Sequence, residues 1–264
     1  MLFLKQFGIP VSRICGAFSL SRATLYRFLN SHSSRDPISQ RILELAHEFP
    51  AYGYRRIHAL LQREGFSVNH KKVFRLYSRL SLQKEVKCSR KLAHRNRGPL
   101  TAPQFPGHVW SADFVELMVR RRKLRLLFVI DDFTRLVVGV FVGFSIPAFQ
   151  VQAVLQRSIS RFSRPRVFRT DNGSEFRQTQ LNRFLSNSRI KHEFIPKGKP
   201  YQNGFSESFN AHLKEECLQT FDIDLFPISS IQEAVLNWVK EYNEFRPHSA
   251  LGYQSPVRFH LVRY

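Results

Sequence analysis

Three apolar runs dominate the middle of the chain, at residues 108–119, 124–130 and 136–144, separated by gaps of only four and five residues. Gaps that short cannot carry a parallel crossover, so the runs are predicted to be antiparallel neighbours joined by hairpins. The second run is apolar almost throughout, the pattern of a strand covered on both faces. After it the period changes. Helical spacing at residues 147–162 and 174–186 alternates with short strand-like runs at 166–170 and 190–195, and further helices follow at 205–218 and 231–245. Together these elements predict an α/β fold, with a mixed five-stranded sheet and helices on its faces.

Upstream, residues 1–82 read as helical throughout. Residues 11–18 and 22–29 form two predicted helices around Ser19-Leu20-Ser21, with Ser21 placed to cap the second. The pair has the look of a helix-turn-helix whose second helix presents Arg22 and Arg27 to DNA; a plain helical hairpin is the alternative. Three more helices follow: 38–49 after Pro37, 52–61 ending before Gly65, and 70–80 capped by Asn69. In the last, Val73, Leu76, Tyr77 and Leu80 mark the buried stripe, and Lys71, Lys72 and Arg75 lie off it. Those cations suit a phosphate-contacting face, although a merely solvated face has the same pattern. Residues 83–106 carry many cations and no apolar period, and read as a basic linker into a core at 107–264.

The chain has 41 Lys and Arg against 20 Asp and Glu, a formal charge of +21. Such an excess says nothing of fold but much of partners, and a polyanion, nucleic acid above all, is the expected one. Cys15, Cys88 and Cys217 are odd in number and far apart. A disulfide framework or Cys-rich zinc site is therefore not expected, and a reducing, intracellular setting fits. No apolar stretch is long enough to span a membrane.

Against that positive background, three carboxylates stand out. Asp113 falls inside a strand, in Trp110-Ser111-Ala112-Asp113; Asp171 follows a strand end, in Thr170-Asp171-Asn172-Gly173; Glu207 opens a helix, with thirty-five residues between it and Asp171. Acids in the path of DNA make electrostatic sense when they hold a hard divalent cation, which takes oxygen ligands. Taken singly, each has a plain structural reading: a buried Asp satisfied by its neighbours, a turn Asp, a surface Glu. Glu116 is three residues from Asp113 and so points to the other face of the strand. Asp131 and Asp132 end the second strand and are expected to stabilise its hairpin turn. Positions 207, 210, 211 and 214 share a helix face, so Lys214 lies two turns from Glu207 on the same side.

Five phrases in this order resemble the D,D(35)E transposases and retroviral-type integrases, most nearly the downstream-frame product of the IS-three group of insertion sequences. They are Tyr52-Gly53-Tyr54-Arg55-Arg56-Ile57, Trp110-Ser111-Ala112-Asp113, Thr170 to Phe176, Gly198 to Asn210 with Lys214 beyond it, and Tyr242 to Pro256. The resemblance implies a ribonuclease-H-like core in which Asp113, Asp171 and Glu207 converge as catalytic, metal-holding acids on Mg²⁺, with Mn²⁺ able to substitute. It implies metal-dependent DNA cleavage and strand transfer by a homo-multimer on element ends and target DNA, in the bacterial cytoplasm at the nucleoid. It also implies fusion to, or association with, an upstream-frame product, since no long heptad array is present. Two rival readings remain: a DNA-binding regulator that keeps the fold without the chemistry, and a recombinase working through a covalent tyrosine among Arg246, His248 and Tyr253.

Overall fold

The computed structural model describes residues 15–17, 21, 23, 36–83, 100–196, 204–220 and 225–263. The chain divides into two compact units, Met1–Glu85 and Val86–Tyr264.

In the first unit, α1 (Pro37–Glu48), α2 (Tyr54–Arg63) and α3 (His70–Arg79) close around Ile42, Leu45, Ile57, Leu61, Val73 and Leu76. The helix starts are chemically marked. The Asp36 side chain accepts from the Ile38 N–H, and Pro37 occupies a first-turn position where its missing N–H costs nothing. Asn69 caps α3 by accepting from Lys71 N–H. The Tyr77 hydroxyl donates to the Tyr52 carbonyl at 3.1 Å, tying α3 to the turn before α2. Lys71 and Arg75 are exposed on α3, whereas Lys72 is half-buried and pairs with Asp36 at 3.3 Å. Arg22 and Arg27 lie outside the described residues, as does most of the helical pair predicted at 11–29.

The second unit holds the sheet: β1 (Val109–Val119), β2 (Arg122–Asp131), β3 (Val137–Gly143), β4 (Val167–Thr170) and β5 (Lys191–Phe194), in the order β3-β2-β1-β4-β5. The first three pair antiparallel, and β1, β4 and β5 run parallel. Around it lie α4 (Ala148–Phe162), α5 (Thr179–Asn187), α6 (Gly204–Glu216), α7 (Ile228–Glu244) and α8 (Pro256–Arg263). Alternation along β1 sorts its side chains between two apolar cores. Val115 and Val119 join Phe209 and Leu213 of α6 and Trp238 of α7 on one face. Trp110 and Ala112 join Val151 and Leu155 of α4 and Leu181 of α5 on the other. Gly139 lets α4 lie directly on β3, because a Cβ there would stand 2.7 Å from Ser158 Oγ and 2.8 Å from Val154 Cγ1.

Two sequence expectations need correction, and one element was not foreseen. The helix predicted at 174–186 begins only at Thr179; before it the chain makes a turn in which Phe176 N–H donates to Gly173 O and Arg177 N–H to Ser174 O. The full burial of the Phe176 ring holds this turn against the sheet. The linker predicted to run to residue 106 is docked before that point, since Thr101 Oγ1 donates to Glu193 at 2.9 Å and Arg169 donates to the Thr101 carbonyl. A last helix, α8, was not legible because its apolar residues show no clean helical stripe. Among the described residues, no helix is long and apolar enough to cross a membrane.

Candidate active site

Sheet register brings the first two acids together. Ala112 of β1 pairs with Thr170 of β4, so the next residues, Asp113 and Asp171, leave the paired stretch side by side. In a parallel pair such neighbours point to the same face. That face is the one α6 covers. Phe209 packs edge-on to Phe128, the cross-strand partner of Asp113, with ring centroids 4.8 Å apart. One residue on, Asn210 Nδ2 donates to Asp113 Oδ2 at 3.1 Å. Glu207 precedes Asn210 by three positions and is its neighbour on the helix surface. Strand register and helix placement thus bring the three acids to the same side of the sheet, where β4 ends and α6 lies against β1.

The charges register this proximity. The Asp113 carboxyl is pushed up to about 6, first by burial and also by the negative charges of Asp171 and Glu207, against the opposing Phe114 N–H and Asn210 donors. The folded value lies above the unfolded one of 3.8, so the native state binds the extra proton between about pH 4 and 6. Stability from this group is present below that window and is lost as pH rises through it. Asp113→Asn is thus expected to unfold at higher denaturant than the wild type above pH 6, by on the order of 2 kcal/mol, with the difference vanishing below pH 4. Urea titrations of both proteins across that range check this; a gain that does not change with pH would refute it.

The loop after β4 is shaped to present Asp171. Asn172 Nδ2 donates to the Ile195 carbonyl at 2.6 Å, tying the exits of β4 and β5 together. Gly173 N–H donates to Asp171 Oδ1 at 2.9 Å, and a Cβ at Gly173 would stand 3.0 Å from that same oxygen. A side chain at 173 would therefore crowd the Asp171 carboxylate in this position. Below the loop, Thr170 Oγ1 meets His192 Nε2 at 3.0 Å, and burial lowers the His192 imidazole to about 4, so it stays neutral. Asp171 and Glu207 are both exposed. Among the described residues no three Asp, Glu, His or Cys side chains stand close enough to clasp an ion without moving.

The competing acids are engaged elsewhere. Asp131 accepts from the N–H groups of Gly107, Phe133 and Thr134 at 2.6, 2.8 and 3.1 Å, the turn-stabilising role expected for it. Asp132 lies in a buried network, accepting from Ser111 Oγ at 2.6 Å and pairing with Arg169 at 3.0 Å. Glu116, on the opposite face from Asp113, pairs with Lys123 at 2.9 Å. Lys214 is exposed in the last turn of α6.

Two partners escaped the sequence reading. Asn210 shares the Glu207 face at helical spacing, which was visible, but its bond to Asp113 was not. Glu216, the last residue of α6, holds Arg246 through Nε at 2.8 Å and Nη2 at 2.6 Å. No local spacing announces a pair thirty residues apart. With its guanidinium 2% exposed and bound to Glu216, Arg246 is not available to a tyrosine nucleophile.

Comparison with known proteins places this geometry in context. Two models, each described as an integrase core domain, match residues 103–200 and 188–256. An HTH-like domain model matches residues 33–91, the stretch containing α1 to α3 rather than the upstream pair of predicted helices. The 31.7 kDa protein of insertion element IS407 from Burkholderia multivorans is 34% identical over 97% of this chain and 92% of its own length. InsK of insertion sequence element IS150 from Escherichia coli is 31% identical over 99% of this chain and 96% of its length. Transposase InsD of insertion element IS2 from the same species is 28% identical over 96% and 91%. Among solved structures, the HTLV-2 integrase catalytic core superposes with a TM-score of 0.51 at 20% identity, over 60% of this chain and 99% of that one. A chain of the simian T-cell lymphotropic virus intasome in complex with PP2A regulatory subunit B56 gamma superposes at 0.53 and 16% identity, over 83% of this chain and 74% of that one. At those identities the likeness establishes a shared ribonuclease-H-like fold.

Proposed function

Because this chain belongs to the D,D(35)E transposases of the IS-three group of insertion sequences, we propose that Asp113, Asp171 and Glu207 are its catalytic acids and together hold divalent metal. As a member of that family it is a DNA transposase, a polynucleotidyl transferase, and the integrase-core family depends on divalent metal. The observation that carries the assignment is the Asn210–Asp113 bond beside the Ala112–Thr170 register, which supports a meeting of all three acids. An all-carboxylate set suits Mg²⁺, with Mn²⁺ as substitute.

Bound divalent ions would activate the attacking oxygen and screen the charge on the leaving one. In the reaction, water attacks a phosphodiester at the element end and frees a 3′-hydroxyl. That hydroxyl then attacks a phosphodiester of a second strand in line and displaces its 3′-oxygen. The residues of the chain position these partners. Asn210 orients the Asp113 carboxylate, the Asn172–Ile195 bond fixes the loop carrying Asp171, and α6 carries Glu207. Lys214, about 10 Å along the helix from Glu207, binds a DNA phosphate. Lys71 and Arg75 on α3 meet further backbone, with Lys72 released from Asp36 as it does so, and Arg22 and Arg27 belong to the same DNA-binding region, 1–82. Two element ends and a target imply a multimer, assembled on DNA in the bacterial cytoplasm with or without an upstream-frame product.

Cleavage of supercoiled DNA with and without Mg²⁺ tests the reading; nicking that persists undiminished in a chelator would overturn it. Lys214→Ala is expected to weaken DNA binding and to reduce the slope of log affinity against log salt by about 0.9, the share of one phosphate contact. A salt series on both proteins measures this, and an unchanged slope would remove Lys214 from the DNA path.

A further inference from the structure

Val119 pairs with Arg122, so Arg120 and Arg121 make up the whole turn between β1 and β2. Both have positive φ, 47° and 62°. A two-residue hairpin of this kind favours Asn-Gly, because both positions take a backbone conformation that side chains with a Cβ avoid. Here the turn is Arg-Arg, followed by Arg122 and Lys123, and all four side chains are exposed. Solubility alone would not require cations at positions that strain them.

The hairpin is also placed to meet a ligand. β4 ends at Thr170, beside the acids, but β1 and β2 run on past it. Seven residue steps take the strand from Asp113 to Arg120 at the tip, a projection of about 23 Å. Phosphates of one DNA strand are spaced about 3.4 Å along the axis, so that reach is six or seven nucleotides. Glu116 pairs with Lys123 at 2.9 Å and with Arg125 at 3.5 Å, both weak exposed or half-exposed contacts that phosphate can displace. Arg122 lies over the Phe144 ring at 3.7 Å, which holds its guanidinium in place without neutralising it.

The geometry points to the β1–β2 hairpin tip, through Arg121, Arg122 and Lys123, as a further contact for the DNA backbone, several nucleotides from the reacting phosphodiester. This rests on the reading of the chain as a DNA-strand transferase and adds a surface to it. The contact assigned to the tip is with phosphate, which its exposed cations meet through charge and which the salt slope below measures.

The test is binding of a linear duplex in chelator, followed by fluorescence anisotropy across a salt series. Arg121→Gly/Lys123→Gln removes two charges while relieving the positive φ at 121. It is expected to bind about tenfold more weakly at low salt and to show a slope shallower by about 1.8. Arg121→Asn/Lys123→Gln, whose Asn also tolerates positive φ, should give the same result by an independent route. Arg121→Lys should bind as the wild type does. Wild-type slopes in both double variants would overturn the proposal, as would an equal loss in Arg121→Lys. Because no chemistry occurs in chelator, this result stands apart from the catalytic assignment: the hairpin can fail while metal-dependent nicking holds, and the reverse.

Discussion

Asp113→Asn, Asp171→Asn and Glu207→Gln are each expected to lower metal-dependent nicking by a factor of roughly 10³ or more while leaving nonspecific DNA binding largely intact. Each change is isosteric and removes one anionic oxygen ligand. The fold should survive all three. Asp171 and Glu207 are exposed, and an amide at 113 can still bond Asn210. Asp131→Asn is the matched control. It disturbs a carboxylate that accepts three backbone N–H groups in a turn, so it should lower the melting temperature and retain nicking below it. An acid whose amide variant still nicks within about tenfold of wild type would leave the site, because that loss is under 1.4 kcal/mol of barrier. The expected stabilisation of Asp113→Asn above pH 6 belongs to the same account. A half-buried acid held beside two others is unfavourable for folding, and function is the reason to keep it.

Arg246→Met should destabilise the second unit by about 3 kcal/mol, because it takes the bidentate guanidinium from the buried Glu216 carboxylate and leaves His212, at 3.7 Å, as a weaker neighbour. The Arg246 and Glu216 side chains are 2% and 6% exposed, and the pairing is bidentate. Glu216 ends α6, nine residues after Glu207, so the pair anchors one end of the helix that carries the third acid. Replacing both, as Arg246→Met/Glu216→Gln, should recover much of the loss, since neither desolvated charge then remains. Chemical denaturation of the three proteins measures it. A single variant within about 1 kcal/mol of wild type would show that the pair is not a buried ion pair in the energetic sense.

The parts of this molecule that were legible in the sequence are those set by local chemistry. Short gaps between apolar runs fixed β1, β2 and β3 as antiparallel neighbours. Asn69 announced the start of α3, and parity along β1 separated Asp113 from Glu116. The spacing of positions 207 and 210 placed Asn210 on the face of Glu207. What could not be read was set by contacts between distant segments. The turn at Ser174 is held by the burial of Phe176, which defers the helix to Thr179. Thr101 is fixed by Arg169 and Glu193, 68 and 92 residues away in the chain, where composition suggested only a basic linker. Arg246, quoted in the terminal phrase for its chemistry, spends its charge on Glu216. The meeting of Asp113, Asp171 and Glu207 was an inference from resemblance, and its physical support lies in strand register and one amide hydrogen bond.

Titration of the full chain with Mn²⁺, followed by the paramagnetic resonance of the free ion in the presence of duplex DNA, tests the shared grip of the three acids without relying on turnover. Wild-type protein should deplete the free signal to saturation, and each of Asp113→Asn, Asp171→Asn and Glu207→Gln should weaken that uptake sharply, whereas Asp131→Asn should not. Undiminished uptake in any one of the three would contradict the account.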